Sequence, residues 1–185
     1  MSEVTQVFTQ LLQNAQQSAE VAGKNWFSYA DPDVESPCQY GEVTDDQQVK
    51  WWPVLRGECQ DFSHLEHGLE FSLHADLQAF YGHSYGGGLK VQHQRGNAEL
   101  LMVWHQEDFS RLQQNIIAHI LMKRRLKQRE TVFFATTEDD DILLSVLNSS
   151  GEVYLEHVGQ EVKEKLADNL AQFIAQLSPC SSAGL

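Results

Sequence analysis

The order in which helix-type and strand-type hydrophobic patterns follow one another constrains the fold of this chain more than any other feature. Apolar residues spaced by three and four, as on one helix face, recur over 4–19, 62–80, 107–126 and 162–177. Strand-type stretches fall instead into two groups, at 89–104 and 131–157. Strands grouped between helices, rather than alternating with them singly, favour an α+β fold whose sheet is largely antiparallel.

The two strand groups predict a hairpin and a three-strand meander, packed with helices. Leu89–Gln94 and Ala98–Trp104 flank Arg95–Gly96–Asn97, a turn sequence that favours a hairpin. The meander strands are predicted at Thr131–Thr137, Ile142–Asn148 and Val153–His157. With 185 residues, the chain suits one domain, predicted over 1–178, followed by a frayed tail at 179–185.

Capping and breaking residues predict where the helices begin and end. Gly23 is expected to end the first helix. The second is expected to begin at Asp61 or Ser63, with Ser63 and Glu66 forming a capping box, and to end at Gly82. Pro179 is expected to stop the last helix.

The segment 24–60 differs in character from the rest of the chain. It holds Trp26, Trp51 and Trp52, and its stretch from Asp31 to Asp46 is acidic and contains no base. Disordered linkers rarely carry so many aromatic residues. We therefore predict an ordered loop with short strands that aromatic packing holds in place.

The chain is strongly acidic, with 26 Asp and Glu against 13 Lys and Arg and a net charge of −13. Such a surface repels nucleic acid and the anionic inner leaflet of a membrane, and it attracts basic partners. Five bases cluster over Lys123–Arg129. They could bind nucleic acid or lipid, but we interpret them as a solvated helix end that complements the helix dipole and pairs with nearby acids.

Cysteine usage and the absence of long apolar runs predict a cytoplasmic protein. Cys38, Cys59 and Cys180 are odd in number and form no C-x-x-C, as expected of free thiols in a reducing compartment. Met1–Glu20 lacks the apolar region of a signal peptide. The apolar stretch at Ile116–Met122 is too short to span a bilayer.

No pattern in the sequence indicates catalysis, so we predict no enzyme activity, no cofactor and no metal. His64, His67 and His74 could share a helix face, but they lack a recognised zinc spacing. Gly86–Gly88 precedes a strand rather than a helix, so it predicts a flexible connection rather than a phosphate loop. His119, on the apolar helix face, is expected to be a hydrogen-bonded core residue.

Acidic and aromatic residues are interleaved in a way that favours a docking face. Acids occur in the loop before Trp51 and Trp52 and again over Glu138–Asp141. Solubility alone explains many acid-rich surfaces. Recognition faces, however, combine charge with aromatic anchors, and this chain supplies both within 26–52.

Several strings in order along the chain resemble the Syd family, the SecY-interacting proteins of bacteria. They are Ser36–Pro37–Cys38, Trp51–Trp52–Pro53, Glu107–Asp108–Phe109, Gln113–Asn115, His119 before Lys123–Lys127, Phe133–Thr136, Ser145–Val153, Asn169–Leu170 and Phe173. The resemblance covers nearly the whole chain. It implies a cytoplasmic protein, peripheral on the inner membrane, that binds SecY and regulates or checks the translocase. It also implies a fold similar to the superfamily of bacterial toxin-immunity proteins, which supplies an alternative function with a soluble partner.

The resemblance implies an acidic concave interaction face, and the matched segments supply its candidate residues. These are Glu35, Glu107, Asp108, Glu138, Asp139, Asp140 and Asp141, with Trp51 and Trp52 as aromatic anchors. Asp108 also has a competing role at a helix N-terminus. Cytoplasmic loops of membrane proteins are rich in Lys and Arg, so carboxylates would steer those loops and aromatic residues would add desolvated contact. No direct lipid binding is expected.

Overall fold

The computed structural model describes residues 2–57 and 60–180, and within them the chain forms one α+β domain. The helices are α1 Glu3–Val21, α2 Ser63–Leu69, α3 Ala75–Tyr81, α4 Gln106–Arg125 and α5 Leu170–Ile174. The strands are β1 Trp26–Tyr29, β2 Gln39–Tyr40, β3 Gln48–Trp51, β4 Val54–Leu55, β5 Ser84–Tyr85, β6 Leu89–His93, β7 Gly96–Leu100, β8 Thr131–Thr137, β9 Ile142–Leu147, β10 Val153–His157, β11 Glu164–Ala167 and β12 Ser178–Pro179. No helix in this part of the chain has the length and apolarity needed to cross a membrane.

The main sheet has seven strands in the order β11-β10-β9-β8-β7-β6-β12, with antiparallel neighbours throughout. The predicted hairpin is β6–β7 and the predicted meander is β8–β9–β10. The pairing of Ala98 with Thr137 joins the two groups into one sheet. The predicted α+β fold with a largely antiparallel sheet is therefore confirmed.

Helices cover the main sheet on both faces. Phe134 of β8 lies 5.9 Å from Phe80 of α3 and 5.7 Å from Phe173 of α5, measured between ring centroids. Its neighbour Phe133 instead meets His119 of α4 at 5.5 Å. Because successive strand residues point to opposite faces, α4 lies on the face opposite α3 and α5. Phe8 of α1 stacks on Phe80 at 4.8 Å, which adds α1 to the α3 and α5 side.

A small sheet in the order β1-β3-β2 follows α1 and lies within the segment 24–60. Trp26 pairs with Trp51 in its ladder, and Trp52 packs on Trp26 beside it. The prediction of an ordered loop with short strands held by aromatic packing is confirmed. Cys38 is a buried free thiol and Cys180 a half-buried one, whereas Cys59 lies outside the described residues.

The predicted second helix is two short helices rather than one. Glu70 adopts the left-handed conformation, with φ of 53°, and ends α2. The carboxylate of Glu66 accepts the backbone N–H of Leu73 at 2.8 Å, and the His74 side chain caps α3. Ser63 is inside α2 and caps nothing, so the capping-box prediction is wrong. The predicted end at Gly82 is confirmed.

The predicted last helix is also wrong over its first half. Glu164–Ala167 forms β11 because the open edge of β10 lies within reach of this segment. The side chain of Asn169 then caps α5, which is only five residues long. Pro179 of β12 pairs with Val91, and Cys180 N–H donates to Lys90 O, next to the boundary predicted at 178. Residues 181–185 of the expected tail lie outside the described residues.

The basic end of α4 is not solvated throughout. Lys123 is completely buried and pairs with Glu156, whereas Arg124 pairs with Glu130 nearer the surface. The predicted pairing with acids is confirmed, but full solvation of the cluster is wrong. Buried lysines need a partner, and β10 provides it here. His119, on the same face of α4 as Lys123, is hydrogen-bonded to Thr131 of β8, as expected.

Candidate partner-binding groove

An open groove runs along β1, between that strand, the Gly86–Gly88 segment and the beginning of α4. It consists of two adjoining hollows of about 380 Å³ and about 370 Å³. Both hollows are lined by Ser28, Tyr29, Gly87, Gly88 and Glu99. Because they share these residues, the hollows form one continuous depression, here called the β1 groove.

The glycine run Gly86–Gly88 forms part of the wall of the β1 groove. A Cβ atom on Gly87 would lie 2.7 Å from Ser28 Cβ. Gly88 has φ of +95°, and a Cβ there would collide with the carboxylate of Glu99. We expected a flexible connection, but the backbone here packs too closely against neighbouring side chains to carry side chains of its own.

Aromatic residues of the small sheet form the other wall. Trp26 lies 5.0 Å from Trp51 and 4.6 Å from Trp52, measured between ring centroids. Trp51 is only 2% exposed because β3 is the central strand of this sheet. Trp51, predicted as an aromatic anchor, therefore has little exposed surface, and its part in partner binding stays a prediction. Phe27 and Tyr29 are 39% and 65% exposed, so β1 presents these two aromatic rings to solvent.

His105 joins two acidic segments at one end of the groove. Its Nδ1 accepts the backbone N–H of Asp108, which caps α4, and its Nε2 lies 3.2 Å from Asp31 Oδ2. Acceptance at Nδ1 means that Nε2 carries the hydrogen and donates to the carboxylate. Ser36 Oγ also donates to Trp104 O at 2.5 Å. These contacts hold residues 31–36 against the beginning of α4.

Asp31 and Asp108 of these two segments line one end of the β1 groove, and three further carboxylates neighbour them along the chain. We call this set the acidic rim, and its members are Asp31, Asp33, Glu35, Glu107 and Asp108. Asp33, Glu35 and Glu107 are exposed, whereas Asp31 and Asp108 are about a quarter exposed. The rim therefore contains Glu35, Glu107 and Asp108, three of the residues that the sequence identified as candidates.

Hydrogen bonds keep Asp31 ionised at the edge of the groove. The backbone N–H of Asp33 and the imidazole of His105 donate to its carboxylate and lower the pKa of Asp31. Val34 N–H donates to the same carboxylate at 3.2 Å. Asp31 is thus a fixed negative charge whose side chain is already oriented.

Charge is distributed unevenly along the β1 groove. In the half next to α4, Asp31, Glu99 and Asp108 line the wall, and Arg111 is the base among the described lining residues. In the other half, Glu99 is accompanied by Lys24 and Lys90, together with apolar residues of α1 and β1. The groove therefore has an acidic half near α4 and a more apolar, charge-balanced half near the end of α1.

The candidate residues Glu138–Asp141 lie elsewhere, at the turn between β8 and β9. Asn97, at the beginning of β7, donates to Glu138 Oε1 at 2.9 Å. The acidic rim follows the other end of β7, through the connection to α4. The structure thus brings two of the three predicted acidic segments together and leaves the third at the opposite end of the strand. Charge along the sequence could not reveal this separation.

Sequence reasoning did not single out Glu99 or His105. Glu99 sits directly opposite Lys90 in the β6–β7 hairpin, on the face opposite the buried residues Leu89, Val91, Ala98 and Leu100. His105 immediately precedes α4, where the cap of a helix is expected. Hairpin register and cap position were the available signals. Neither signal indicates which distant residue would be the partner.

Two of the three histidines considered for metal binding have other contacts. His67 Nδ1 lies 2.7 Å from Ser63 O, and His74 caps α3. Within residues 2–57 and 60–180, no three His, Cys, Asp or Glu side chains are grouped so that they could hold a metal ion.

Fold and groove together define a class of protein: a small acidic α+β domain in which an open groove combines carboxylates with exposed aromatic rings. The family model described as Syd protein (SUKH-2) matches residues 1–179. The chain therefore belongs to the Syd family, as the sequence resemblance implied.

Individual relatives cover most of the chain as well. The Protein Syd of Pseudoalteromonas atlantica is 44% identical over 154 residues, which are 82% of this chain and 83% of the relative. The Protein Syd of Alteromonas mediterranea is 43% identical over 152 residues, 82% of this chain and 84% of the relative. The Protein Syd of Colwellia psychrerythraea is 37% identical and covers 96% of both chains.

Proposed function

We propose that this protein binds the basic cytoplasmic loops of the SecY channel and thereby regulates or checks the translocase. The observation that carries the proposal is the His105 contact, which gathers two acidic segments beside an open groove. Solubility requires only that carboxylates are exposed. It does not require that carboxylates from two segments lie close together. A fixed cluster next to a groove with exposed aromatic rings favours a docking site.

Binding would proceed through two kinds of contact. The acidic rim attracts the Lys and Arg residues of the loops and raises the rate of encounter, because complementary charge steers association. Phe27 and Tyr29 then lose solvent-exposed surface and supply the desolvated contact that charge alone does not provide. The protein would reach the cytoplasmic side of the inner membrane through this partner, since its own charge opposes an anionic lipid surface.

The test measures binding of peptides from SecY cytoplasmic loops at increasing salt, from about 0.05 M to about 0.5 M. Two charge-reversal variants locate the site. The rim variant carries Asp33→Lys, Glu35→Lys and Glu107→Lys. The turn variant carries Glu138→Lys, Asp140→Lys and Asp141→Lys, and it changes net charge by the same amount. All six side chains are exposed, so both variants should fold.

We expect wild-type affinity to fall with salt and the rim variant to bind about tenfold more weakly than the turn variant. Equal weakening by both variants would mean that overall charge, rather than the β1 groove, governs binding. Failure of the folded wild-type protein to bind at low salt would contradict the proposal and favour the alternative of a soluble, toxin-immunity-type partner.

A further inference from the structure

β1 is an edge strand whose free edge borders the β1 groove. Its one neighbour in the described sheets is β3, and all four of its residues line the groove. An unpaired strand edge exposes a row of N–H and C=O groups that can pair with another extended chain. The groove therefore has backbone hydrogen-bonding groups along one wall.

The register of β1 on β3 identifies which backbone groups face the groove. Ala30 N–H donates to Gln47 O at 2.8 Å, and Ser28 is opposite Val49 two residues along. In an antiparallel ladder, alternate residues bond to the partner strand and the residues between them point away. Ser28 thus bonds inward to β3, whereas the N–H and C=O groups of Phe27 and Tyr29 point to the free edge.

Other edge strands of the described chain are protected and β1 is not. β11 contains Glu164 and Lys165, and β12 contains Pro179, which has no N–H. The remaining edges, β2, β4 and β5, are only two residues long. Charge, proline and short length are the usual devices against unwanted strand pairing. β1 has four residues, Trp-Phe-Ser-Tyr, with neither charge nor proline.

Small residues leave room beside this edge. The groove lining includes Gly87, Gly88, the short side chains of Ala15, Ser18 and Ala19 from α1, and Ala22 just after that helix. A chain lying along β1 would have one end in the acidic half of the groove and the other in the more apolar half.

We infer that the β1 groove binds its partner as an added β-strand, an extended basic segment whose backbone pairs with Phe27 and Tyr29. The inference rests on the proposed function, because it takes the occupant to be a basic protein segment. Charge favours that occupant over a second copy of this chain. A second copy would carry the same net charge of −13, so two copies repel each other, whereas a basic segment is attracted.

The first test removes backbone donors from the partner while keeping its charge. The probes are the SecY loop peptides and a short peptide of alternating lysine and valine, each also made with N-methyl groups on two consecutive central residues. Consecutive residues of a strand point their N–H groups to opposite edges, so this change blocks pairing through either edge. We expect N-methylation to weaken binding about tenfold, which is 1.4 kcal/mol.

The second test follows individual amides of the protein by NMR hydrogen exchange. Addition of either unmodified peptide should slow exchange at Phe27 and Tyr29 and leave Ser28, which already bonds to β3, nearly unchanged. Tyr29→Pro, which removes an N–H that the ladder does not use, should bind about tenfold more weakly than Tyr29→Ala, which keeps it.

Each outcome separates the inference from the proposed function. If loop peptides bind with undiminished affinity after N-methylation and leave exchange at Phe27 and Tyr29 unchanged, strand addition is wrong and the proposed function stands. If the lysine–valine peptide binds along β1 but no SecY loop peptide does, the proposed function is wrong and the strand-binding groove stands. A dimer that Tyr29→Pro dissociates would show that a second copy is the occupant and overturn the inference.

Discussion

Lys123 Nζ of α4 lies 3.1 Å from Glu156 Oε1 of β10, and both side chains are completely buried. Lys123 also donates to Gln160 O at 2.9 Å. The other carboxylate oxygen, Glu156 Oε2, accepts from Thr131 Oγ1 at 2.6 Å, and His119 Nε2 lies 3.3 Å from Glu156 Oε1. A buried charge is tolerated only where partners surround it, so this network fixes the position of α4 on the sheet.

Removing one member of the buried pair should destabilise the protein more than removing both. Lys123→Met leaves the Glu156 carboxylate without its buried lysine partner, and we expect the free energy of unfolding to fall by about 3 kcal/mol. The double variant Lys123→Met with Glu156→Met removes both charges of the pair and should lose less. Urea unfolding at neutral pH measures all three proteins. A double variant that is less stable than Lys123→Met would contradict this account.

Glu156 should make stability depend on pH in a defined window. Burial raises its pKa, but hydrogen bonds from His119 and Thr131, with the charge of His119, outweigh burial and lower the pKa from 4.5 to about 2. A lowered carboxyl pKa stabilises the fold above the unfolded value, and the contribution is lost as pH falls toward the folded value. The lowering corresponds to about 3 kcal/mol.

The measurement compares the urea stability of wild type and Glu156→Gln between pH 6 and pH 3. The difference should be largest above pH 5 and should shrink steadily as pH falls from about 4.5 toward about 2. Other carboxylates titrate in both proteins and cancel in the difference. A difference that stays constant across the window would mean that the ionised form of Glu156 is not what stabilises the fold.

The elements that the sequence predicted correctly are those whose own residues determine them. α1 and α4 have long apolar faces, and the meander strands have continuous β-branched and aromatic runs, so their bounds agree closely with prediction. The segment 162–177 has a helix-type spacing too, but Glu164–Ala167 pairs with β10 instead. That competition depends on a sheet edge elsewhere in the chain, which local periodicity cannot reveal.

The candidate site was predictable in composition but not in assembly. The acidic run after Asp31 and the aromatic residues of 24–60 were visible in the sequence. Their attachment to α4 depends on His105, which is 74 residues from Asp31. Trp51 shows the same limit. Its aromatic side chain suggested an anchor, but the residue is buried because β3 is the central strand of the small sheet.

Gly88 should be intolerant of a side chain. Its φ of +95° is unfavourable for other residues, and an added Cβ would collide with the Glu99 carboxylate. We expect Gly88→Ala to lower the free energy of unfolding by about 2 kcal/mol, measured by urea unfolding. Gly57→Ala is the matched control, since a Cβ at Gly57 meets nothing within 4 Å and its φ is not in the left-handed region. Equal stability of the two variants would contradict the role given to Gly88.

His105 has two functions that substitution can separate. As the cap of α4 it accepts the Asp108 N–H, and as the link to the acidic rim it donates to Asp31. His105→Ala removes both contacts and should lower the free energy of unfolding by about 1 kcal/mol. His105→Asn keeps a good cap but is too short to cap α4 and reach Asp31 together, so it should keep most of the stability.

Both variants should nevertheless weaken binding of basic loop peptides by a similar factor, because each releases residues 31–36 from α4. Peptide titrations and urea unfolding on the same samples provide the comparison. If His105→Asn binds as tightly as wild type, the convergence of the two acidic segments does not depend on this imidazole, and the carboxylates act individually.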